Sequence, residues 1–222
     1  MGIIPSIQVI HLSQLTKGQN TEEANKHNQN QPTHATSDMA YALSRLGPDR
    51  LSHSAYRMAS LFPAHKKPSG YPGPVLGSDF PVEPPNPFHG MYAAVTRLEP
   101  TTGTSPSGDG GWYPQEALSV EQALLGFTRN AAYGWFREGV AGAIEVGKWA
   151  DFIVVDRNVW EDEQGKALRD VQVKETWVGG RKVYAQKKDR LGASTLRKVS
   201  TALQKLISWV SRYTARDADQ EL

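Results

Sequence analysis

The chain has 222 residues, of which 39% are hydrophobic and 22% are charged, and its formal net charge is +2. Because it contains no cysteine, disulfides, thiolate metal sites and a cysteine nucleophile are excluded. No apolar run approaches the roughly 20 residues that cross a bilayer, and the interspersed charges do not call for a nucleic-acid partner. The N-terminus has no basic region or cleavage site typical of a signal peptide, so we expect a cytoplasmic globular protein.

The first thirty residues divide into an apolar segment and a polar one. Residues 3–10 are largely apolar and β-branched, which predicts a short buried strand. Residues 13–31 consist mostly of Ser, Thr, Gln, Asn, Glu and Lys and offer little surface to bury. This second segment therefore predicts a disordered insertion.

Helical spacing returns from Thr36 to about Leu61. Ser37 or Asp38 can cap this helix, and Gly47-Pro48 is expected to break it. Residues 63–74 contain four prolines and two glycines and predict a loop.

A minimal strand at Val75-Leu76 then leads to the carboxylate of Asp79, on a turn stiffened by Pro81 and Pro84. An acid held at the end of a buried strand is where barrel enzymes place catalytic groups. The alternative is that Asp79 only caps the turn before Pro81.

The second half of the chain has clearer local signals. Ser119 and Gln122 form the pattern of a capping box and predict a helix start. Asp151–Asp156 reads as a strand buried on both sides, and Val171–Val178 with Arg181–Tyr184 predicts a hairpin around Gly179-Gly180. Residues 194–215 place Leu196, Val199, Leu203, Ile207 and Val210 on one stripe, which predicts an amphipathic helix.

With its elements in this order, the chain resembles the C-terminal part of amidohydrolase family 3, in the metal-dependent amidohydrolase superfamily. The stretches that carry the resemblance follow the family's order: Gly2–Gln8, Pro32–Met39, Gly77–Pro87, Gly90–Arg97, Gly110–Pro114, Gly147–Phe152 and Val178–Tyr184.

The resemblance implies an α/β fold, namely the last two strands and helices of a (β/α)8 barrel with part of a small β-sandwich. Ile3–Gln8 would be barrel strand seven and Val75–Asp79 strand eight. Residues 1–143 would be the partial barrel, with loop or disordered insertions at 9–31 and 62–74. Residues 144–189 would belong to the sandwich and residues 190–222 to an extra helical tail. The family's first six strands, with most of its metal ligands, have no counterpart here.

The resemblance also implies a site at the barrel mouth. Asp79 would ligate a divalent metal, most simply zinc, and would act as general acid and base. His34, Asp38 and Arg97 would contact the substrate, with Arg97 and Glu83 as candidates for an ion pair in the pocket wall. The alternatives are that Asp38 caps a helix, that His34 is a solvated surface residue, and that Glu83 and Arg97 are structural.

The expected function is that of a metal-dependent hydrolase acting on small amide-type substrates at carbon–nitrogen bonds other than peptide bonds. Because a catalytic zinc site takes three protein ligands, we expect no appreciable turnover from the chain alone. Unpaired strand edges predict self-association or association with another chain. The alternative is a non-catalytic remnant or an interaction module.

Overall fold

The computed structural model describes residues 29–54, 56–62 and 72–186, and these residues adopt an α/β fold. The strands are β1 (Gln29–Asn30), β2 (Val75–Leu76), β3 (Phe152–Val155), β4 (Val173–Val178) and β5 (Arg181–Ala185). The α-helices are α1 (Pro32–Ser54), α2 (Pro87–Thr96), α3 (Val120–Phe127) and α4 (Arg129–Gly134). Short 3-10 turns occupy Ala59–Leu61, Gly108–Gly110, Pro114–Glu116, Val159–Glu161 and Lys166–Asp170. None of the helices in these ranges is both long and apolar enough to span a bilayer.

Strands β1 and β2 form a two-stranded parallel sheet, with Gln29 opposite Val75 and Asn30 opposite Leu76. Strand β1 lies within residues 13–31, which the sequence predicts to be a disordered insertion. That prediction is wrong for residues 29–30, because they form a strand. The strand predicted at Ile3–Gln8 and the amphipathic helix predicted at 194–215 lie outside the described residues.

Helix α1 begins at Pro32, so the predicted start at Ser37 or Asp38 is wrong. Proline suits the first helical position because its φ is already helical and its missing N–H is not needed there. The predicted break at Gly47-Pro48 is a kink. Gly47 takes φ 74° and ψ 163°, and helical turns resume beyond it to Ser54.

The core is built around α2, which carries a run of buried residues from Phe88 to Val95. Its partners come from every part of the described chain and include Leu76 of β2, Ala123 of α3, and Leu168 and Val171 before β4. Asn86 starts α2 by accepting a hydrogen bond from the Phe88 amide at 3.0 Å. This single helix therefore joins the parallel sheet to the C-terminal part of the described chain.

Strands β3, β4 and β5 form an antiparallel sheet in that order. The hairpin predicted around Gly179-Gly180 is confirmed, and both glycines have positive φ. Strand β3 is half-buried along its length, so the prediction that it is buried on both sides is wrong. The capping box is confirmed, with the Ser119 hydroxyl and the Gln122 side chain each bonded to the other residue's amide.

Two glycines let α3 and α4 pack directly on β2. A Cβ at Gly126 would lie 2.5 Å from Cγ of Leu76, and one at Gly134 would lie 2.8 Å from Cγ2 of Val75. Both strand side chains are buried, so neither has space to move aside. The position of β2 therefore depends on the absence of side chains at these two points.

We expect Gly126→Ala to destabilise the fold by about 1–3 kcal/mol, because the added methyl overpacks against Leu76. Gly139→Ala is the matched control, since a Cβ there meets nothing within 4 Å, and it should change stability by less than about 0.5 kcal/mol. Urea unfolding of both variants measures the difference. Equal stability of the two would contradict the packing described for α3 and β2.

Candidate active site

Asp79 lies three residues beyond the end of β2, on a turn closed by a 2.9 Å hydrogen bond from the Val82 amide to the Asp79 carbonyl. Its φ of 54° is left-handed, a conformation that Asp tolerates better than most residues. The Asp79 side chain is half-buried. The sequence-based placement of Asp79 at the end of a strand thus matches the structure, and its catalytic role stays a prediction.

The parallel pairing of β1 and β2 brings a second segment to the same edge. Because neighbouring parallel strands end on the same side, the chain leaving Asn30 enters α1 beside the chain leaving Leu76. Ala35 of the first turn of α1 and Leu76 belong to one buried cluster. His34 and Asp79 therefore follow adjacent strand ends. The strand predicted before His34 was Ile3–Gln8, which lies outside the described residues, so the shared barrel mouth stays a prediction.

His34 and Asp38 face each other across one turn of α1, with His34 Nε2 3.4 Å from Asp38 Oδ2. Asp38 is a helix-interior residue here, because α1 starts at Pro32, so its predicted alternative role as helix cap is wrong. Each side chain is about one third exposed. The other ring nitrogen of His34, Nδ1, is buried and has no hydrogen-bond partner.

Tyr56 belongs to this group and was missed by the sequence analysis. Its hydroxyl donates to Asp38 Oδ2 at 2.5 Å. Burial, the hydrogen bond to Asp38 and the Asp38 charge together raise the pKa of Tyr56 above its ordinary value, so the hydroxyl stays a donor. Nothing in the sequence signals this contact, because the partners are 18 residues apart and Tyr56 follows the end of the helix.

Arg97 is a structural residue in the described part of the chain. It ends α2 in a left-handed conformation, is 1% exposed, and donates from Nε to the Trp112 carbonyl at 2.9 Å. Its guanidinium lies 5.6 Å from the centre of the Trp112 ring. Burial lowers the pKa of Arg97 to about 10, and the nearby charge of Glu116 opposes this shift. The predicted ion pair with Glu83 is wrong. The guanidinium is enclosed at the loop between α2 and α3, residues 97–119, which we call the Trp112 loop, rather than open to a substrate.

Glu116 ties the Trp112 loop to the segment after α1. It accepts a 2.9 Å hydrogen bond from the Ser60 amide and another from the Ser60 hydroxyl, and its Oε1 lies 3.5 Å from Nε of Arg57. Burial opposes ionisation of this carboxyl, but the Ser60 bonds and the Arg57 charge outweigh it and hold the pKa of Glu116 below its ordinary value.

The described residues do not fit a complete zinc site. Among them, no group of three or more His, Cys, Asp or Glu side chains could hold a metal ion, whereas a catalytic zinc ion takes three protein ligands. Asp79 supplies one carboxylate, and His34 Nδ1 is a buried nitrogen with no hydrogen-bond partner among the described residues.

A surface cleft of about 400 Å³ lies elsewhere, beside the Trp112 loop. Its lining comprises Leu43, Pro106, Ser107, Trp112, Tyr113, Pro114 and Gln115. None of the predicted site residues Asp79, His34, Asp38 and Arg97 takes part in it. The candidate site is therefore an edge built from two strand ends, and not this cleft.

We expect Tyr56→Phe to cost about 1–2 kcal/mol of unfolding free energy, because it removes a hydrogen bond to a charged carboxylate. Tyr113→Phe is the matched control. Tyr113 also packs on Trp112, but its hydroxyl reaches only the Pro48 carbonyl, at 3.5 Å. Denaturant unfolding compares the two, and a loss that is no larger at Tyr56 would count against the Asp38 contact.

We expect Glu116 to make the protein less stable in acid. Because its folded pKa is depressed, its contribution is present above the unfolded value of about 4.3 and is lost as the pH falls through the folded pKa. Glu116→Gln should flatten the fall in unfolding free energy below about pH 4.3. Glu163→Gln, at an exposed position, should leave the acid profile unchanged; matching profiles for both variants would refute this role of Glu116.

Most of the chain, including the residues just described, is similar to known proteins. The model of a family described as the amidohydrolase family matches residues 9–184. The chain is 34% identical over 154 residues to Protein LONG AFTER FAR-RED 3 of Arabidopsis thaliana, covering 69% of this chain and 24% of the relative. It is 29% identical over 154 residues to the putative amidohydrolase YtcJ of Bacillus subtilis (strain 168), covering 69% and 27%.

A third relative is the N-substituted formamide deformylase of Arthrobacter pascens, 35% identical over 105 residues that make up 47% of this chain and 18% of the relative. Among solved structures, an uncharacterized metal-dependent hydrolase from Pyrococcus furiosus aligns with 28% identity and a TM-score of 0.40. That alignment covers 54% of this chain and 21% of the other.

The chain thus spans between 18% and 27% of the length of the curated relatives it matches. The family match begins beyond Ile3–Gln8 and runs to the last strand of the antiparallel sheet. Because the match covers most of the chain, the protein belongs to the amidohydrolase family, as its motifs predict.

Proposed function

We propose that this chain provides the closing part of the reaction centre of a metal-dependent hydrolase that cleaves carbon–nitrogen bonds other than peptide bonds in small amide-type substrates. Family membership supports the reaction class. One relative is an N-substituted formamide deformylase, which supports a small amide as substrate.

The observation that carries the proposal is the placement of Asp79. A half-buried carboxylate at the end of a parallel strand is positioned to accept a proton from an attacking water and to deliver it to the leaving nitrogen. His34 and Asp38, at the neighbouring strand end, are positioned to contact the substrate. Arg97 has no part in this proposal, because its guanidinium is enclosed.

The metal ligands other than Asp79 are proposed to come from outside residues 29–186. A divalent ion, zinc in this proposal, would supply Lewis acidity to the complete centre. The described residues provide fewer ligands than such an ion needs, so we assign no catalytic step to a metal held by this chain alone. The chain spans only 24% and 27% of the length of two relatives, which is consistent with ligands that lie elsewhere.

In the same proposal, β1 takes the place that the sequence analysis gave to Ile3–Gln8, so that β1 and β2 are the last two strands of a (β/α)8 barrel, and residues 144–189 form part of a small β-sandwich. The parallel pair supports the first assignment and the antiparallel sheet the second. Two strands do not close a barrel, so β1 and β2 are expected to pair with further strands from another polypeptide segment or another chain.

A second candidate function is that of a non-catalytic remnant or interaction module. The absence of a three-ligand group among residues 29–54, 56–62 and 72–186 favours it. The two candidates differ in whether Asp79 contributes to hydrolysis once the remaining barrel is supplied.

The deciding experiment is a chimera in which residues 29–186 replace the corresponding region of the Arthrobacter pascens deformylase, of which 105 residues align with this chain. We expect hydrolysis of an N-substituted formamide, and we expect Asp79→Asn to reduce kcat by about 10²–10⁴-fold because the acid–base group is lost. Asp170→Asn, at an exposed position, is the control and should retain activity. An active chimera that keeps its rate with Asp79→Asn would rule out the catalytic role.

The chain by itself gives a complementary measurement. Metal analysis of the purified 222-residue protein should find well below one zinc per chain, and a formamide screen should find no appreciable turnover. Stoichiometric zinc with hydrolysis that Asp79→Asn abolishes would show that the chain holds a complete site.

A further inference from the structure

Four large apolar side chains are exposed in the short stretch of chain that follows α4. Trp135 and Trp149 are 44% and 46% exposed, Ile144 is 54% exposed, and the Val146 side chain lies wholly in solvent. The two indole rings contact each other, with 6.2 Å between their centroids. We call these four residues the Trp149 surface. An exposed apolar group of this kind marks a site of interaction.

Backbone hydrogen bonds hold this surface in place. The Trp149 amide donates to the Val140 carbonyl at 2.8 Å and closes the loop that carries Ile144 and Val146. Trp135 ends α4, where its amide donates to the Ala131 carbonyl at 3.1 Å. A partner therefore meets a surface that is already formed, so little ordering of these residues is needed when it binds.

A segment whose sequence pattern calls for such a surface lies in the same chain. Residues 194–215, outside the described residues, contain no acidic residue and carry an apolar stripe at helical spacing: Leu196, Val199, Leu203, Ile207 and Val210. An amphipathic helix in water is stabilised mainly by packing of its apolar face. The family match ends at residue 184, so family membership assigns no partner to this stripe.

The described chain ends within reach of the Trp149 surface. The turn between β4 and β5 is bonded to the residue next to Trp149, through a 3.0 Å hydrogen bond from the Gly180 amide to the Ala150 carbonyl. From that turn β5 runs for five residues, which is roughly 13 Å at the rise of a strand. Residues 186–193 can span up to roughly 27 Å, so they are long enough to bring Ser194 back to the turn.

We propose that residues 194–215 form an amphipathic helix that docks its apolar stripe on the Trp149 surface of the same chain. A short tether gives the segment an effective concentration of about a millimolar, so it occupies the surface ahead of a second copy of the chain at micromolar concentration. The proposal goes beyond the proposed function and does not rest on it, because docking of apolar side chains requires no hydrolysis.

The experiment is amide hydrogen exchange on the 222-residue protein, with the change made on the surface and the readout taken in the segment. We expect slowed exchange at residues 199–210 of the wild type, because an amphipathic helix that packs on nothing opens readily. Val146→Asp should lower this protection at least about tenfold, since a carboxylate then faces the apolar stripe. Because Val146 is wholly exposed, the substitution leaves the fold of the described residues intact.

Val183→Asp is the matched control for the surface. Val183 is also an exposed valine, at 60%, and it is nearer to the segment in sequence, but it lies on β5 outside the Trp149 surface. This variant should keep the protection of residues 199–210 within about twofold of the wild type.

A second pair of variants changes the segment instead of the surface. Leu203→Asp, on the stripe, should abolish the protection because it places a charge in the docked face. Lys205→Asp, on the opposite side of the predicted helix, should keep the protection within about threefold, the factor expected from helix propensity alone.

The proposal is overturned if residues 199–210 of the wild type exchange as fast as an unfolded chain. It is also overturned if Val146→Asp leaves their protection unchanged, since the stripe would then pack on another surface. A loss of protection when the wild type is diluted about tenfold would overturn it too, because the partner of the stripe would then be a second copy of the chain.

Discussion

The rest of the structure depends on one packing contact. In it, the backbones of α3 and α4 lie directly against the side chains of β2. Gly126 and Gly134 allow Leu76 and Val75 to fill the space where side chains would otherwise stand. Asp79 follows β2 after only two residues, so its position depends on this packing together with the hydrogen bond from the Val82 amide to its carbonyl. The partners of β2 on its other side, β1 and α1, then fix where His34 lies.

The candidate site is accordingly an edge and not an enclosed pocket. Its groups come from two strand ends, and Tyr56, packed against Trp112, reaches in to hold Asp38. Such an arrangement can orient side chains, but it leaves one side open. In the proposed function, further barrel strands would close that side. This explains how a chain can preserve the geometry of a strand-end carboxylate without a set of ligands around it.

The features predicted from sequence were those whose signals are local. The Ser119 capping box and the Gly179-Gly180 hairpin depend on residues within a few positions of one another, and both are present. The start of α1 was misplaced because Ser37 and Asp38 looked like caps, while Pro32 set the first turn. The Tyr56 contact and the enclosure of Arg97 depend on partners 18 and 15 residues away. Packing alone decides such contacts, so no spacing rule could have found them.

The two glycines facing β2 also indicate which parts of this chain can be altered by engineering. A library that aims at new substrates can vary Phe80 and Val82, whose side chains are more than half exposed, while Asp79 is kept. Mutagenesis that includes Gly126 or Gly134 would instead displace the strand and carry the carboxylate with it. Selection experiments should therefore randomise these two positions and hold Asp79 and the helix side constant.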